Sequence, residues 1–285
     1  ATGPGLFCME HLFQYLLFVP IGFIAGGLGT FVGAGGGFLV VPFLTFWDPQ
    51  LAPQTITAIS LGVIFFNSAS GSIRYARTRR IDYVSGVTFA VATIPGAALG
   101  AAISGLIPRQ VFNVMFGVFM LAVAVFLMLK PGRAVSGSKP VSGQFRRIMT
   151  DRSGAVYDFS YNRSIGVASS GIVGILSSLL GIGGGIIHVP VMTRLLNFPV
   201  HLATATSHFI LVITALTGAT VHLVYGRYFQ PEAALMLVAL TIGVIPGAQL
   251  GARLSEKAKP TWILRGLSFV ILLVALRLLI GFGAS

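Results

Sequence analysis

Gly33-Ala-Gly-Gly-Gly-Phe-Leu-Val-Val-Pro-Phe-Leu44 recurs in the second half of the chain as Gly181-Ile-Gly-Gly-Gly-Ile-Ile-His-Val-Pro-Val-Met192, with six of twelve positions identical. Two further pairs follow in the same order: Thr57–Ser60 matches Thr204–Ser207, and Ile94–Ala101 matches Ile245–Ala252. The offsets stay between 147 and 151 residues. Three ordered matches predict an internal duplication, with halves at residues 9–130 and 164–285 and a basic linker at 131–163.

The composition indicates a membrane protein. Hydrophobic residues make up 55% of the 285 residues, charged residues make up 9%, and the mean hydropathy is +0.89. A soluble domain carries about 25% charged residues. We therefore predict an all-α polytopic membrane protein with about eight transmembrane helices in two homologous four-helix repeats. The apolar runs long enough to span lie at 11–32, 55–74, 83–104, 109–129, 164–181, 203–224, 231–252 and 261–281.

Each glycine cluster precedes an apolar piece, 36–46 or 184–196, that is too short to span comfortably. Consecutive glycines weaken a helix, so we expect broken or re-entrant helices at both motifs. The second half of a broken helix presents free N–H groups and a positive dipole end, which favour an anion. The alternative reading is that the glycines serve only close helix packing.

Loop charges predict the orientation. Arg74 to Arg80 and the 131–163 linker are basic, as cytoplasmic loops are under the positive-inside rule. With eight spans both termini are cytoplasmic and the repeats run parallel, which is the arrangement we favour. This arrangement places the basic residues Arg253, Lys257 and Lys259 on the outer side of the membrane, which is one exception to the rule. If the two short pieces also cross, each half has five spans and the repeats are inverted.

The remaining composition excludes several classes of function. The basic residues behind the net charge of +12 concentrate at Arg74 to Arg80 and Lys130 to Arg163, between apolar runs, so no nucleic-acid partner is expected. Cys8 is the only cysteine, which excludes an internal disulfide, and we expect no metal and no cofactor. Residues 1–8 precede Met9, a natural start, and are taken as flanking sequence.

The paired Gly-x-Gly-Gly-Gly-x-x-x-Val-Pro motifs, the eight spans and the basic central loop resemble the sulfite exporter TauE/SafE family, also called the toluene-sulfonate uptake permease family. The resemblance covers residues 9–285. It implies a permease that moves a small sulfur-containing anion, such as sulfite, thiosulfate or an organosulfonate, across the bacterial inner membrane.

Polar side chains within the spans are the candidate substrate ligands, because such residues are costly in a membrane. His188 and His208 stand where the first repeat has Val40 and Leu61, and either histidine could also be a packing residue. The predicted substrate-binding set is Gly33, Gly35, Gly36, Gly37, Gly181, Gly183, Gly184, Gly185, His188, Ser60, Thr206, Ser207, His208, Asn67 and Gln249.

No acidic residue falls in the middle of a predicted span, so the cavity should be neutral to positive and suit an anion. The expected function is a secondary transporter rather than an enzyme. Its partners are the anion and the lipid bilayer, with a homo-oligomer also possible. The alternatives are an anion channel with the same site and an intramembrane enzyme that uses Ser207, His208 and His188.

Overall fold

The computed structural model describes residues 15–129, 144–225 and 231–258, with helical positions at 265, 268, 269, 271–273 and 275. The first half forms α1 (Phe18–Val32), α2 (Gly37–Trp47), α3 (Pro53–Arg77), α4 (Tyr83–Ile103), a 3-10 turn (Ser104–Leu106) and α5 (Arg109–Leu129). After strands β1 (Phe145–Thr150) and β2 (Val156–Tyr161), the second half forms α6 (Arg163–Leu180), α7 (Gly185–Arg194), α8 (Val200–Val224) and α9 (Pro231–Lys257). Cys8 and Met9 lie outside the described residues.

Five of the described helices, α3, α4, α6, α8 and α9, are long and apolar enough to cross a membrane. Large apolar side chains cover their outer surface: Val91, Ile172 and Ile242 are each about 60% exposed. An apolar exterior of this kind is stable only against lipid or protein. The protein is therefore a multi-pass, predominantly helical membrane protein.

Two close helix pairs build the sides of the bundle, and glycines make both possible. Along α1 and α9, a Cβ at Gly22 would meet the Leu240 backbone and one at Gly26 would meet the Val244 backbone. Along α4 and α6, Gly96 faces Gly171 and Gly100 faces Ile175 in the same way. Contact positions rise together in each pair, so the partners run parallel. Small residues let membrane helices approach this closely.

The central helices α3 and α8 run antiparallel. Gly71, near the end of α3, packs on His208 near the start of α8, whereas Leu61 packs on Gly218. Thr57 at the start of α3 reaches His222 at the end of α8. These helices carry the matched Thr57–Ser60 and Thr204–Ser207 motifs, so the parallel arrangement favoured from loop charges is wrong for this pair.

The short helices explain the error. Phe18 at the start of α1 packs edge-on against Trp47 at the end of α2, with ring centroids 5.2 Å apart. The chain thus reverses direction at the glycine motif, and α2 ends at the same end of the bundle at which α1 begins. Neither a four-span nor a five-span unit describes this path, because α1 and α2 together form a re-entrant pair.

The two ends of the bundle differ in charge. One end, called the basic face below, gathers the cationic side chains of α3, the strands, α7 and α9. They are Arg74, Arg77, Arg79, Arg80, Arg146, Arg147, Arg152, Arg163, Arg194, Arg253 and Lys257. The other end, called the opposite face, carries Arg109, whose guanidinium donates to the carbonyls of Leu51, Thr45 and Asp48. Arg253 and Lys257 therefore lie on the same end as Arg74, which the parallel arrangement did not allow.

The described part of the basic linker is a β-hairpin, which the predicted all-α fold did not include. Strands β1 and β2 pair antiparallel with Phe145 opposite Tyr161 and Thr150 opposite Val156. Phe159 and Tyr161 pack on Phe198 and Phe89, which fastens the hairpin to the basic face. Arg147 forms a salt bridge of 2.8 Å with the buried carboxylate of Asp82 at the start of α4.

Candidate functional site

Both glycine motifs are non-helical turns. Helix α1 ends at Val32, and Gly33, Gly35 and Gly36 all have φ near +80°, the left-handed region that favours glycine. Helix α6 ends at Leu180, and Gly181, Gly183 and Gly184 repeat the pattern with φ between 69° and 77°. A broken helix at each motif, as the glycine clusters predict, is thus present.

Helices α2 and α7 begin directly at these turns. Gly36 and Gly184 are their N-cap residues, and neither helix has a side-chain cap. The N–H groups of a helix's first turn have no intrahelical partner and carry a partial positive charge. The structure therefore buries two uncapped helix N-termini near the middle of the bundle.

The two turns touch one another. A Cβ at Gly37 would lie 2.7 Å from the carbonyl oxygen of Gly181, and one at Gly185 would lie 2.4 Å from that of Gly33. Neither distance leaves room for a side chain. Gly37 and Gly185 thus allow the two turns to pack together. The same glycines therefore serve close packing and also begin the helices whose N-termini could bind an anion.

Ser60 and Ser207 hold this contact from opposite sides. The hydroxyl of Ser60 on α3 donates to the carbonyl of Gly181 at 2.6 Å, and that of Ser207 on α8 donates to the carbonyl of Gly33 at 3.1 Å. Each serine therefore binds the turn of the other half. These hydroxyls stabilise the turns, and neither is spare for a ligand in this conformation.

A buried polar cluster lies beside the first turn on its basic-face side. The Thr30 hydroxyl donates to Asn67 Oδ1 at 3.0 Å and lies 3.1 Å from His208 Nε2. Tyr75 donates to the Thr30 carbonyl at 2.9 Å and packs edge-on against the His208 ring. Asn67 and His208, predicted separately as ligands, thus belong to one network.

The amide nitrogen Nδ2 of Asn67 and the hydroxyl of Ser68, both on α3 beside this cluster, have no hydrogen-bond partner among the described residues. A buried polar group without a partner is costly. Ser68 Oγ would lie 3.7 Å from a Cβ on Gly35, so it faces the turn. Sequence reasoning missed Ser68, although Ser60, Ile64, Asn67 and Gly71 follow the helical spacing that puts them on one face with it.

Other predicted ligands lie elsewhere. The Thr206 hydroxyl accepts the backbone N–H of Asp82 at 3.0 Å, and Gln249 donates to the Ser70 carbonyl at 2.6 Å. His188 Nε2 lies 3.4 Å from the Ser170 hydroxyl, between α6 and α7. Among the described residues no hydrogen bond joins Ser207 to either histidine, and its hydroxyl donates to the Gly33 carbonyl.

Each face of the bundle carries a cavity. On the basic face a cavity of 390 Å³ is lined by Arg74, Arg77, Thr78, Arg80, Asp151, Arg152, Ser153 and Glu256. On the opposite face a cavity of 370 Å³ is lined by Gln54, His222, Tyr225 and residues 101–106. Between them Ser60, Asn67, Ser207 and His208 are fully buried. The described conformation is closed in the middle.

Comparison with known protein families matches residues 18–278 to the family described as Sulfite exporter TauE/SafE. The chain belongs to this family. Membership agrees with the membrane-length helices and the apolar exterior, and it supports a transport function rather than an enzymatic one.

Curated relatives point the same way. The chain is 35% identical to the probable membrane transporter protein YunE of Bacillus subtilis, over 93% of this chain and 97% of the relative. It is 28% identical to a probable membrane transporter protein of Methanocaldococcus jannaschii, over 94% and 98% of the two chains. A shorter match, 24% identical over 42% of this chain, is to sulfite exporter TauE/SafE family protein 6 of Arabidopsis thaliana. No solved structure matches the chain.

Proposed function

We propose that this membrane protein is a secondary transporter for a small sulfur-containing anion such as sulfite, thiosulfate or an organosulfonate, in the bacterial inner membrane. The observation that carries the proposal is the meeting of two uncapped helix N-termini in a buried centre between two cavities on opposite faces. Half-helix N-termini directed at an anionic group are the arrangement used by transporters built from repeats.

The proposed central site comprises the first two N–H groups of α2 and of α7, Asn67 Nδ2 and the Ser68 hydroxyl, since the third N–H of each helix already donates to its N-cap carbonyl. All are donors, and no described carboxylate lies among them. An oxyanion accepts several hydrogen bonds at once, which suits a cluster of donors. The name of the family and that of the Arabidopsis relative support sulfite as the first member of the substrate class to test.

We propose further that residues 9–130 and 164–285 form inverted repeats, each containing one re-entrant pair and three full spans. The antiparallel course of α3 and α8 supports this, as do the reciprocal contacts of Ser60 with Gly181 and Ser207 with Gly33. Inverted repeats allow one half to rock against the other and open the closed centre to each face in turn. The closed centre favours this carrier mechanism over the anion channel.

The test is uptake into proteoliposomes of radiolabelled sulfite, thiosulfate, sulfate and ethanesulfonate, with chloride as the control anion. We expect saturable uptake of at least one sulfur anion and none of chloride. Asn67→Asp keeps the side-chain size and adds a negative charge to the donor cluster, so it should abolish that uptake. Ohmic single-channel currents would contradict the carrier mechanism. Uptake by Asn67→Asp at the wild-type rate would contradict the proposed central site.

A further inference from the structure

The cavity on the basic face contains more arginines than the carboxylates in its lining can pair with. Its lining holds four arginines and two carboxylates, a formal excess of two positive charges. Two of the arginines are paired. Arg74 makes a bidentate contact with Glu256 at 2.6 and 3.1 Å, and Arg80 lies 3.3 Å from the buried carboxylate of Asp151. These pairs join α3, α9 and the hairpin, and so build the walls.

Arg77 and Arg152 supply the excess. Both side chains are exposed, and within the described parts of the chain neither guanidinium has a carboxylate or hydrogen-bond partner. The backbone N–H of Arg152 donates to the Thr78 carbonyl at 3.0 Å, which fixes the hairpin beside the end of α3. The two free guanidinium groups are therefore held on the walls of one cavity rather than scattered over the surface.

We propose that this cavity is a binding site for a small, multiply charged oxyanion. A planar guanidinium presents several N–H donors in a geometry that suits sulfonyl, sulfite or phosphate oxygens. The volume of 390 Å³ admits such an anion together with part of its hydration shell. That the bound anion is the transported one rests on the proposed function, whereas the site itself does not.

The cavity on the opposite face provides an internal comparison. Its polar lining, Gln54, Ser104, His222 and Tyr225, contains no arginine, lysine or carboxylate among the described residues. A cleft with an excess of one sign of charge raises the local concentration of the opposite ion, and the effect falls with ionic strength. A doubly charged anion therefore binds at the basic face and not at its counterpart.

The experiment is equilibrium dialysis of radiolabelled thiosulfate against the full chain in phosphatidylcholine nanodiscs. Arg77→Gln with Arg152→Gln should raise the Kd about tenfold at low salt and less at high salt, because the lost attraction is screened. Arg253→Gln with Lys257→Gln is the matched control: it also removes two positive charges from the same face, but outside the cavity lining, and should leave the Kd unchanged. Equal Kd values in the double variant and the control would overturn the site.

Two further arms separate the sources and the claims. In nanodiscs with phosphatidylglycerol, loss of bound phosphatidylglycerol from the double variant without a change in thiosulfate Kd would assign the cavity to a lipid headgroup and overturn the proposed oxyanion site. In proteoliposomes, Asn67→Asp tests the central site alone. If the wild-type protein transports none of the anions but its thiosulfate binding still depends on Arg77 and Arg152, the proposed function is refuted and this site stands. If the wild-type protein transports a sulfur anion but the double variant binds thiosulfate as the wild type does, this site is refuted and the proposed function stands.

Discussion

Gly37 shows at the residue scale how one hydrogen can decide both packing and function. It is the first residue of α2, with ordinary backbone angles, so a side chain there costs no backbone strain. The obstacle is purely steric: its Cβ would meet Ile64 Cδ1 at 2.4 Å, a flexible side chain, and the Gly181 carbonyl at 2.7 Å, which cannot rotate away. Alanine must therefore push the two turns apart.

We expect Gly37→Ala to abolish sulfur-anion uptake and to lower stability by about 1–3 kcal/mol, the usual cost of overpacking. Gly171→Ala on α6 is the matched control, because its nearest neighbour, the Ala92 carbonyl, is 3.6 Å from the added atom. The control should transport and melt like the wild type. Uptake by Gly37→Ala at the wild-type rate would show that the contact between the turns is not needed.

Sequence reasoning at single positions succeeded where backbone chemistry decides and failed where side-chain partners decide. Runs of glycine can hardly remain helical, so the breaks at Gly33–Gly36 and Gly181–Gly184 could be predicted. Ser60 and Ser207 were placed beside the turns, but their role there is to bind carbonyls. Gln249 was predicted as a ligand from its polarity alone, and nothing in the sequence indicates that its amide donates a hydrogen bond to the Ser70 carbonyl.

The hairpin is the element that sequence reasoning missed, because the basic and Gly/Ser-rich character of the linker outweighed a weak local signal. That signal exists: β1 alternates between half-buried and exposed residues, and Asp151-Arg-Ser-Gly154 ends in a glycine with φ +87°. Two strands of this length are marginal alone. The aromatic contacts of β2 with Phe198 and Phe89 supply the stabilisation that the linker sequence does not reveal.

Asp151 organises the turn of this hairpin. Its Oδ1 accepts the Ser153 N–H at 2.8 Å, the Ser153 hydroxyl at 2.5 Å and the Ala155 N–H at 3.1 Å. Burial alone would raise the pKa of Asp151, but these hydrogen bonds and Arg80 outweigh it and hold the pKa below its ordinary value of 3.8. The folded hairpin thus binds fewer protons than the unfolded one, so this stabilisation is complete above pH 3.8 and is lost as the pH falls through the lower folded-state value.

Asp151→Asn should therefore loosen the hairpin at neutral pH by about 2 kcal/mol, because charged acceptors form the stronger hydrogen bonds. Amide hydrogen exchange over residues 145–161 measures this directly. Asp158→Asn is the control, since its salt bridge with Arg146 is exposed and such pairs contribute little. Equal exchange in the two variants would mean that the Asp151 turn does not hold the hairpin.

At the scale of the whole molecule, charge and topology now agree. The antiparallel α3 and α8 and the returning α2 place Arg74, Arg194, Arg253 and the hairpin on one face, which the positive-inside rule assigns to the cytoplasm. Loop charges alone could not reveal this, because the answer depended on whether 36–46 and 184–196 crossed the membrane. The contact between Phe18 and Trp47 shows that the first of them folds back.

The last prediction tests this orientation. Lys257 and Tyr225 are exposed positions that discriminate: the basic-face assignment puts Lys257 in the cytoplasm and Tyr225 outside, whereas parallel repeats reverse both. In a Cys8→Ser background, Tyr225→Cys and the reference Gln50→Cys on the opposite face should react with a membrane-impermeant maleimide in intact cells. Lys257→Cys and the reference Ser153→Cys on the hairpin should react only after permeabilisation. Labelling of Lys257→Cys together with Gln50→Cys in intact cells would refute the inverted arrangement and the cytoplasmic assignment of the basic face.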